Sequence, residues 1–328
     1  MEEKDTEKDT IEPTILNQKY KIETPIGKGK FGTVFKGIHL KLEKPVAIKR
    51  EHKESPVKIL KHETTILNYL YNSGCRTIPK IYWFGLYNNS HYLVMSYYKC
   101  SLYEYRNKNS MTENHVYSIV FKMIDILEEI HEQFIIHRDI KPHNFMITEE
   151  NNIHLIDFGL ANVENPGIVL TNESRDHIVG TPNYISYNIH CGYDPMRRDD
   201  LISVGYIAIF LLFGSLPWEG NIIPDNNYPP IHIMNSNLQG IKNKKILENI
   251  ITEISQTLSS HTSTPEFSVQ ASSSTPPLLQ NGSLNIIKYF TYCYDLTSKK
   301  TPNYEGLKQI FLKNNNVLNE KRCKSSMV

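Results

Sequence analysis

The chain has 328 residues, enough for one large two-lobed domain or for two domains. Its 36 Lys and Arg residues nearly balance its 35 Asp and Glu residues, so no overall charge favours a nucleic acid or a membrane surface as a partner. Hydrophobic residues make up 40% of the chain, as in an ordinary folded protein, so any partner must be recognised by a local site.

The five cysteines are scattered and odd in number, which argues against a disulfide framework or a zinc site. The N-terminus is charged and lacks the apolar core of a signal peptide. The longest apolar stretch, residues 201–213, is too short to cross a bilayer. We therefore expect a monomeric intracellular protein, in the cytoplasm, the nucleus or both, with no membrane span and no nucleic-acid partner.

The first third of the chain is predicted to be rich in β-strands. Residues 1–18 are polar and charged, and we expect them to form a disordered leader. One helix is predicted at 55–71, where leucine and isoleucine recur on one face. Runs typical of strands, separated by turns rich in Gly, Asn and Pro, occupy residues 20–26, 32–39, 45–50, 78–86 and 91–95.

The remainder of the chain is predicted to be mainly helical. Thr112 can cap a helix whose apolar residues repeat at helical spacing from 116 to 130. Residues 201–213 are apolar nearly all round, which indicates a buried helix. Ser, Thr and Pro residues from 256 to 283 are typical of a flexible insertion. Periodic sequence resumes at 284–296 and 304–312, before a short tail at 319–328.

These patterns predict an α+β protein with two lobes. The smaller lobe, residues 19–96, is β-rich with one helix, and the larger lobe, residues 97–318, is mainly helical and contains the insertion.

Three glycines, Gly27, Gly29 and Gly32, precede Val34 in a GxGxxGxV pattern. Backbone N–H groups of such a loop can approach phosphates, because no Cβ holds the ligand away. The pattern alone is weak evidence, since a glycine-rich hairpin without a ligand gives the same spacing. A dinucleotide site would need a helix directly after the glycines, whereas residues 33–35 have the character of a strand.

An apolar strand, Val-Ala-Ile, ends in Lys49, and Glu63 lies in the predicted helix that follows. A lysine at this place can reach the α- and β-phosphates of a nucleotide if a carboxylate holds it. Each of the two residues, taken alone, is as readily a solvated charge. Their order and spacing after the glycines favour the phosphate role.

Residues 137–144 read HRDIKPHN and carry the most specific signal in the chain. Asp139 can accept a hydrogen bond from an attacking hydroxyl, Lys141 can offset charge on a moving phosphoryl group, and Asn144 can offer an oxygen to Mg²⁺. A solvated polar loop does not require this order of residue types. We interpret this segment as the catalytic loop.

Asp157, Phe158 and Gly159 follow a short apolar strand at 153–156. Asp157 supplies a hard oxygen ligand for Mg²⁺, Phe158 is expected to pack inward, and Gly159 is expected to permit the turn that follows. A strand that ends in Asp and a turn glycine is common. The position of this triplet after the catalytic loop is therefore the informative part.

In this order, the motifs resemble those of the eukaryotic protein kinases over residues 20–318. The resemblance implies a two-lobed fold with ATP in the cleft, Mg²⁺ held by Asn144 and Asp157, and Lys141 as the mark of the Ser/Thr class. It implies the catalytic residues Asp139, Lys141 and Asn144. It also implies that ATP is bound by Ile26, Gly27, Lys28, Gly29, Lys30, Phe31, Gly32, Thr33, Val34, Ala47, Lys49, Glu63 and Met95.

The segments GTPNYISYNIH at 180–190, RRDDLISVGY at 197–206 and GSLPWEG at 214–220 are similar to those of the casein kinase I family. In that family an arginine two residues after the Gly-Thr pair binds a phosphate already present on the substrate. Here Asn183 stands at that position, which removes a bidentate phosphate ligand. Lys242, Lys244 and Lys245 are either a substitute anion site or a solvated helix face.

The predicted function is therefore that of a Ser/Thr protein kinase acting on protein substrates, with acidic ones as a candidate class. The alternative is a catalytically inactive kinase fold that serves as a scaffold. Such proteins usually lack one of the residues that correspond to Lys49, Asp139 and Asp157, whereas this chain has all three. A small-molecule phosphotransferase fits the 180–205 region less well.

Overall fold

A computed structural model describes residues 14–29, 32–51, 58–164, 178–219, 252, 277–297 and 300–312, with residues 277–283 described by their backbone alone. Contacts divide the chain into two compact units. The first comprises residues 1–99 and 156–159, and the second comprises residues 100–155 and 160–328. The sequence places the division after residue 96, slightly before the observed one, and gives no sign that residues 156–159 return to the first unit.

The first unit is built on a six-stranded antiparallel sheet with the strand order β1-β2-β3-β4-β6-β5. One helix, α1, covers Ile59–Asn72. The strands are β1 Ile15–Leu16, β2 Tyr20–Gly29, β3 Gly32–His39, β4 Lys44–Glu51, β5 Ile81–Tyr87 and β6 Ser90–Ser96.

The start of the chain differs from the sequence-based expectation. Residues 14–18 were expected to belong to a disordered leader, but β1 pairs with β2, and Ile22 N–H donates to the carbonyl of Thr14 at 2.9 Å. Leu16 is fully buried beside Tyr20 and Ile22, and this apolar contact makes the strand part of the core. The expectation is wrong for residues 14–18, while residues 1–13 lie outside the described residues.

Other boundaries in the first unit differ by a few residues. The strand predicted at 78–86 begins at Ile81, because Pro79 lacks the N–H that a sheet ladder requires. The helix predicted at 55–71 is observed from Ile59, and residues 55–57 lie outside the described part of the chain. Strand β2 continues through the glycines to Gly29, beyond the predicted end at residue 26.

The second unit is mainly helical, with two small sheets. One small sheet joins β10, β9 and β7, and the other joins β11 and β8. Its elements are β7 Cys100–Ser101, α2 Leu102–Lys108, α3 Glu113–Glu132, β8 Ile135–Ile136, β9 Phe145–Ile147, β10 Ile153–Leu155, β11 Asn162–Val163, α4 Tyr187–His190, α5 Arg197–Phe213, α6 Pro277–Asp295 and α7, residues 304–312.

The core of this unit forms around α5, which packs against both α3 and α6. Thr112 caps α3 as predicted, since its hydroxyl accepts the N–H of His115 at 3.3 Å. Helix α5 is buried along almost its whole length, which explains why its sequence is apolar on every side. A Cβ on Gly205 would lie 2.6 Å from the ring of Phe290, so glycine is what allows α6 to approach α5 closely.

The mixed α+β fold class predicted from the sequence is confirmed by these two units. The predicted insertion at 256–283 ends earlier than expected, because α6 begins at Pro277, a residue type well suited to a first helical turn. Residues 256–276 and the tail at 319–328 lie outside the described residues. None of the helices within the described ranges combines the length and the apolar character that crossing a bilayer requires.

Candidate active site

The three glycines lie in one antiparallel hairpin formed by β2 and β3. Gly27 pairs with Val34, Lys28 with Thr33 and Gly29 with Gly32. After Gly32 the chain continues as strand to His39 rather than turning into a helix. This geometry excludes a dinucleotide-binding turn and leaves a glycine-rich hairpin. The predicted ATP-binding residues Lys30 and Phe31 lie outside the described part of the chain.

The glycines of the hairpin serve different purposes. A Cβ on Gly32 would lie 2.1 Å from the carbonyl oxygen of Arg50 on β4, so the packing of β3 against β4 requires glycine there. A Cβ on Gly29 would meet no atom within 4 Å among the described residues. The absence of a side chain at Gly29 is therefore not imposed by its described neighbours, and it leaves this surface of the backbone open to a ligand.

The other predicted nucleotide-binding residues of the sheet are distributed over four strands. Ala47 on β4 and Met95 on β6 are direct register partners, and both are buried. Ile26 on β2 is 51% exposed, unlike most large apolar residues of the unit. Thr33 is buried, and Val34 is partly buried.

Lys49 lies between two carboxylates within the first unit. Its Nζ is 2.7 Å from Oε2 of Glu63 on α1 and 2.7 Å from Oδ1 of Asp157. Glu63 is fully buried, whereas the side chain of Asp157 is 42% exposed. The pairing of Lys49 with Glu63 that the sequence predicts is thus present, and Asp157 joins it.

Burial and charge act in opposite directions on this cluster. Burial alone would lower the pKa of Lys49, but the carboxylates of Glu63 and Asp157 outweigh it and hold that pKa above its ordinary value. Burial raises the pKa of Glu63, and the ammonium of Lys49 opposes that rise. Lys49 is therefore a permanent cation on a buried support, which is suited to holding an anion such as a phosphate.

The Asp157-Phe158-Gly159 triplet has one feature that differs from the sequence-based expectation. Phe158 is fully buried, as predicted. The left-handed backbone, however, occurs at Asp157, with φ of 67°, rather than at Gly159. Gly159 is required by space instead, since a Cβ there would lie 2.9 Å from Ile59 on α1. A non-glycine residue in this backbone region is uncommon and is often found at functional sites.

The predicted catalytic loop lies in the second unit, and three side chains converge on Asp139. Oδ1 of Asp139 accepts the hydroxyl of Thr181 at 2.6 Å. Oδ2 accepts Nζ of Lys141 at 2.7 Å and Nδ2 of Asn144 at 3.2 Å. Lys141 also donates to the Thr181 hydroxyl at 3.0 Å, which closes the network. These contacts hold the buried Asp139 carboxylate in one orientation as a hydrogen-bond acceptor.

The backbone before Asp139 is held by an aspartate from α5. Arg138 has a φ of 67°, and the N–H groups of His137 and Arg138 donate to Asp200 at 2.8 Å and 3.0 Å. Gly180 has a φ of 106°, and a Cβ there would lie 2.6 Å from the carbonyl oxygen of Arg138. The loop is thus fixed from both sides in an unusual conformation, at the cost of local backbone strain.

Asn144 and Asp157 fit the predicted role of magnesium ligands in their chemistry. Asn144 Nδ2 donates to the backbone carbonyl of Asp139 at 2.8 Å, so the amide is oriented and its oxygen is the atom left for a hard cation. Within the described ranges no group of three or more His, Cys, Asp or Glu residues is arranged to hold a metal. Mg²⁺ in nucleotide sites usually takes only one or two protein ligands beside phosphates and water, so a magnesium site of that kind does not require a larger cluster.

Two residues of this site were missed by sequence reasoning. Thr181 belongs to the Gly-Thr pair and Asp200 to the Arg-Arg-Asp-Asp segment, both of which were noted only for their resemblance to a family. The neighbouring Asp199 has a separate role, since it accepts the Ser186 hydroxyl at 2.5 Å and the Met196 N–H at 2.9 Å. The available signal for Asp200 was its place among the polar residues that begin an otherwise apolar helix.

Asn183 lies two residues after Thr181. Its carbonyl oxygen accepts the indole N–H of Trp218 at 2.9 Å. Its side-chain oxygen is buried and accepts no hydrogen bond from the described residues. The candidate anion-binding residues Lys242, Lys244 and Lys245 lie outside the described part of the chain.

Comparison with known families identifies the class of protein. The family model of the protein kinase domain matches residues 20–277 of this sequence. The chain therefore belongs to the protein kinase family. The recognition of a protein kinase from the sequence is therefore confirmed.

Within that family, the chain is similar to several homologs of casein kinase I. Casein kinase I homolog 3 of Schizosaccharomyces pombe is 35% identical over 217 residues, which cover 63% of this chain and 49% of the relative. The homolog RAG8 of Kluyveromyces lactis is 34% identical over 218 residues, 63% of this chain and 40% of the relative. Casein kinase I homolog 2 of Saccharomyces cerevisiae is 29% identical over 310 residues, 91% of this chain and 50% of the relative. The chain thus spans half or less of the length of these relatives.

Proposed function

We propose that this protein kinase transfers the γ-phosphate of ATP to Ser or Thr hydroxyl groups of protein substrates, in the manner of casein kinase I. The main support for this proposal is the environment of Asp139. Its carboxylate is buried and is oriented by hydrogen bonds from Thr181, Lys141 and Asn144. An acceptor held in this way suits the deprotonation of a hydroxyl nucleophile.

The residues of the first unit are proposed to bind the nucleotide. Lys49, held by Glu63 at 2.7 Å, would pair with the phosphates, and the open backbone at Gly29 would lie against them. Ala47 and Met95, neighbours in the sheet, would contact the adenine, with Met95 at the back of its pocket. These roles rest on the family resemblance together with the positions of the residues in the sheet.

Asn144 and Asp157 are proposed to hold Mg²⁺, which when bound would neutralise charge on the phosphate oxygens. Asp139 would orient the substrate hydroxyl and accept its proton, and Lys141 would offset charge that develops on the transferred group. Little covalent chemistry is required of the protein, so most of the rate would come from positioning and electrostatic stabilisation.

A Ser/Thr preference is supported by Lys141, which donates to Asp139 and to Thr181. Unprimed substrates, rather than substrates that already carry a phosphate, are supported by Asn183, which has no positive charge to pair with such a phosphate. A preference for acidic substrates is proposed on the casein kinase I resemblance alone. The scattered, odd number of cysteines supports an intracellular compartment.

The test is an assay with γ-labelled ATP, Mg²⁺ and casein, run beside a measurement of ATP binding. Label on Ser or Thr would support the proposal. Nucleotide binding without any transfer would favour the alternative, a kinase fold that acts as a scaffold.

A further inference from the structure

A row of buried polar groups connects α7 to the catalytic loop within the second unit. The hydroxyl of Tyr304 lies 2.7 Å from Nδ1 of His131 on α3. Nε2 of the same imidazole lies 3.0 Å from Oδ2 of Asp200. Tyr304 is 5% exposed, His131 is fully buried, and Asp200 is 3% exposed. Hydrogen bonds between groups so far from water are costly to lose, because no solvent replaces them.

The far end of this row is the strained backbone before Asp139. Asp200 accepts the N–H groups of His137 and Arg138, and Arg138 has the left-handed φ of 67°. A non-glycine residue in this region costs roughly 1–3 kcal/mol, and it persists only where its surroundings fix it. The orientation of Asp200 therefore helps to fix the conformation of the backbone that leads into Asp139, together with the close approach of Gly180 on the other side.

The direction of the hydrogen bonds follows from the chemistry of the groups. The Asp200 oxygens act as acceptors, since they receive backbone N–H groups, so the proton between Asp200 and His131 belongs to Nε2. In neutral imidazole, Nδ1 is then an acceptor, and the Tyr304 hydroxyl is its donor. Burial raises the pKa of Tyr304, so the hydroxyl keeps its proton. Asp200 thus selects the tautomer of His131, and the Tyr304 hydroxyl, as donor to Nδ1, holds that imidazole in place.

Helix α7 does not depend on this hydroxyl for its attachment. Nζ of Lys308 lies 2.6 Å from Asp125 and 2.7 Å from Glu128, both on α3. Leu307 and Phe311 are buried almost completely. Because the helix is held by these contacts, the hydroxyl of Tyr304 is available for a more specific role than anchoring.

We propose that Tyr304 is a positioning residue for phosphotransfer, which acts through His131 and Asp200 on the backbone of His137 and Arg138 and so on the carboxylate of Asp139. The kinetic part of this inference rests on the proposed function. The structural part, that the Tyr304 hydroxyl holds the catalytic-loop backbone, does not.

The test is Tyr304→Phe, which keeps the ring and removes only the hydroxyl. We expect kcat to fall by about 3- to 10-fold, because one buried hydrogen bond is lost. KM for ATP should change by less than about twofold. Amide hydrogen exchange at residues 137–139 should become faster, because Asp200 is no longer held by a fixed imidazole. The exchange measurement needs no catalytic activity.

Matched controls separate positioning from general stability. Tyr292→Phe removes a hydroxyl that accepts the Asn303 N–H at 2.7 Å next to α7, and it should leave kcat and the exchange of residues 137–139 unchanged. Lys308→Met weakens the anchoring of α7 and should lower the melting temperature, with kcat per folded molecule retained. The double variant His131→Phe with Tyr304→Phe should have the same kcat as His131→Phe alone, because Tyr304 acts on Asp200 only through His131.

The inference is overturned if Tyr304→Phe retains the wild-type kcat and the wild-type exchange rates at residues 137–139, or if Tyr292→Phe alters them equally. An inactive wild-type protein would contradict the proposed function instead, and the exchange rates of the Tyr304→Phe variant would still decide whether the hydroxyl holds the loop.

Discussion

The hydroxyl of Thr181 donates a hydrogen bond to Oδ1 of Asp139 at 2.6 Å, although the two residues are 42 positions apart in the sequence. The same hydroxyl accepts a hydrogen bond from Lys141 at 3.0 Å. Thr181 therefore connects Asp139, the proposed base, with its cationic neighbour Lys141, and it leaves the Asp139 carboxylate with a defined orientation.

Replacing Thr181 by valine keeps the shape of the side chain and removes the hydroxyl. We expect kcat to fall by about 10- to 100-fold, because a hydrogen bond to a charged group is lost. Thr181→Ser retains the hydroxyl and should keep most of the activity. Steady-state kinetics on both variants check this, and equal losses in valine and serine variants would argue against the hydroxyl as the reason.

The glycines of the β2–β3 hairpin should respond differently to alanine. Gly32→Ala brings a Cβ to within 2.1 Å of the Arg50 carbonyl, and we expect it to lower the free energy of unfolding by about 1–3 kcal/mol. Gly29→Ala meets no described atom and should change that free energy by less than about 0.5 kcal/mol, while it raises KM for ATP. Denaturant unfolding and ATP kinetics test the pair. Equal destabilisation by both changes would contradict this division of roles.

The difference between Gly29 and Gly32 indicates where sequence reasoning stops. A glycine pattern predicts a close approach of backbone to something, but only the distance between β3 and β4 identifies that partner as protein for Gly32. The clustering of Lys141 and Asn144 around Asp139 was predictable, because three residue types needed for one reaction occur in a fixed order within residues 137–144. Lys49 and Glu63 were predictable from their order along the chain.

Contacts between distant segments were not predictable in the same way. Asp200 meets the backbone of His137 and Arg138 across more than 60 positions of sequence, and no local pattern encodes that contact. Leu16 was assigned to a disordered leader because residues 1–18 are mostly polar and charged, whereas its burial depends on strand β2. Phe158 was correctly expected inside, since an aromatic residue after a buried strand has few alternatives.

The buried ion pair predicts a pH dependence of stability in a Lys49→Met variant. Burial raises the pKa of Glu63, and removal of the Lys49 ammonium removes the main opposing charge. In this variant the Glu63 carboxyl releases its proton at a lower pH in the unfolded state than in the folded state. Deprotonation of Glu63 therefore favours the unfolded state as the pH rises above about 4.5. Relative to the wild type, the variant should therefore lose more stability at about pH 8 than at about pH 5.

A second substitution provides the control for this pH dependence. Lys49→Met combined with Glu63→Gln has no titrating group at the buried position, so the extra loss of stability at high pH should disappear. Asp157, the other carboxylate beside Lys49, is present in both variants and is partly exposed. Denaturant unfolding at the two pH values measures the effect, and an unchanged pH dependence in the double variant would assign it to another group.

Asn183 predicts a substrate preference that a single substitution should change. Asn183→Arg restores a guanidinium that binds phosphate bidentately, and we expect the ratio of kcat/KM for phosphate-primed over unprimed peptides to rise by about tenfold. Asn183→Gln, which adds length without charge, is the control. A wild-type enzyme that already prefers primed peptides would contradict the prediction and would direct attention to Lys242, Lys244 and Lys245.

The most direct test of Asp139 as the catalytic base compares phosphotransfer by Asp139→Asn with that of the wild-type protein, with ATP binding measured in both. The side chain of asparagine keeps the size of aspartate but cannot accept the hydroxyl proton. We expect the wild type to label Ser or Thr in casein, the variant to lose most of this activity, and both to bind ATP with nearly the same affinity. Undiminished phosphotransfer by the variant would contradict the assignment of Asp139 as the catalytic base.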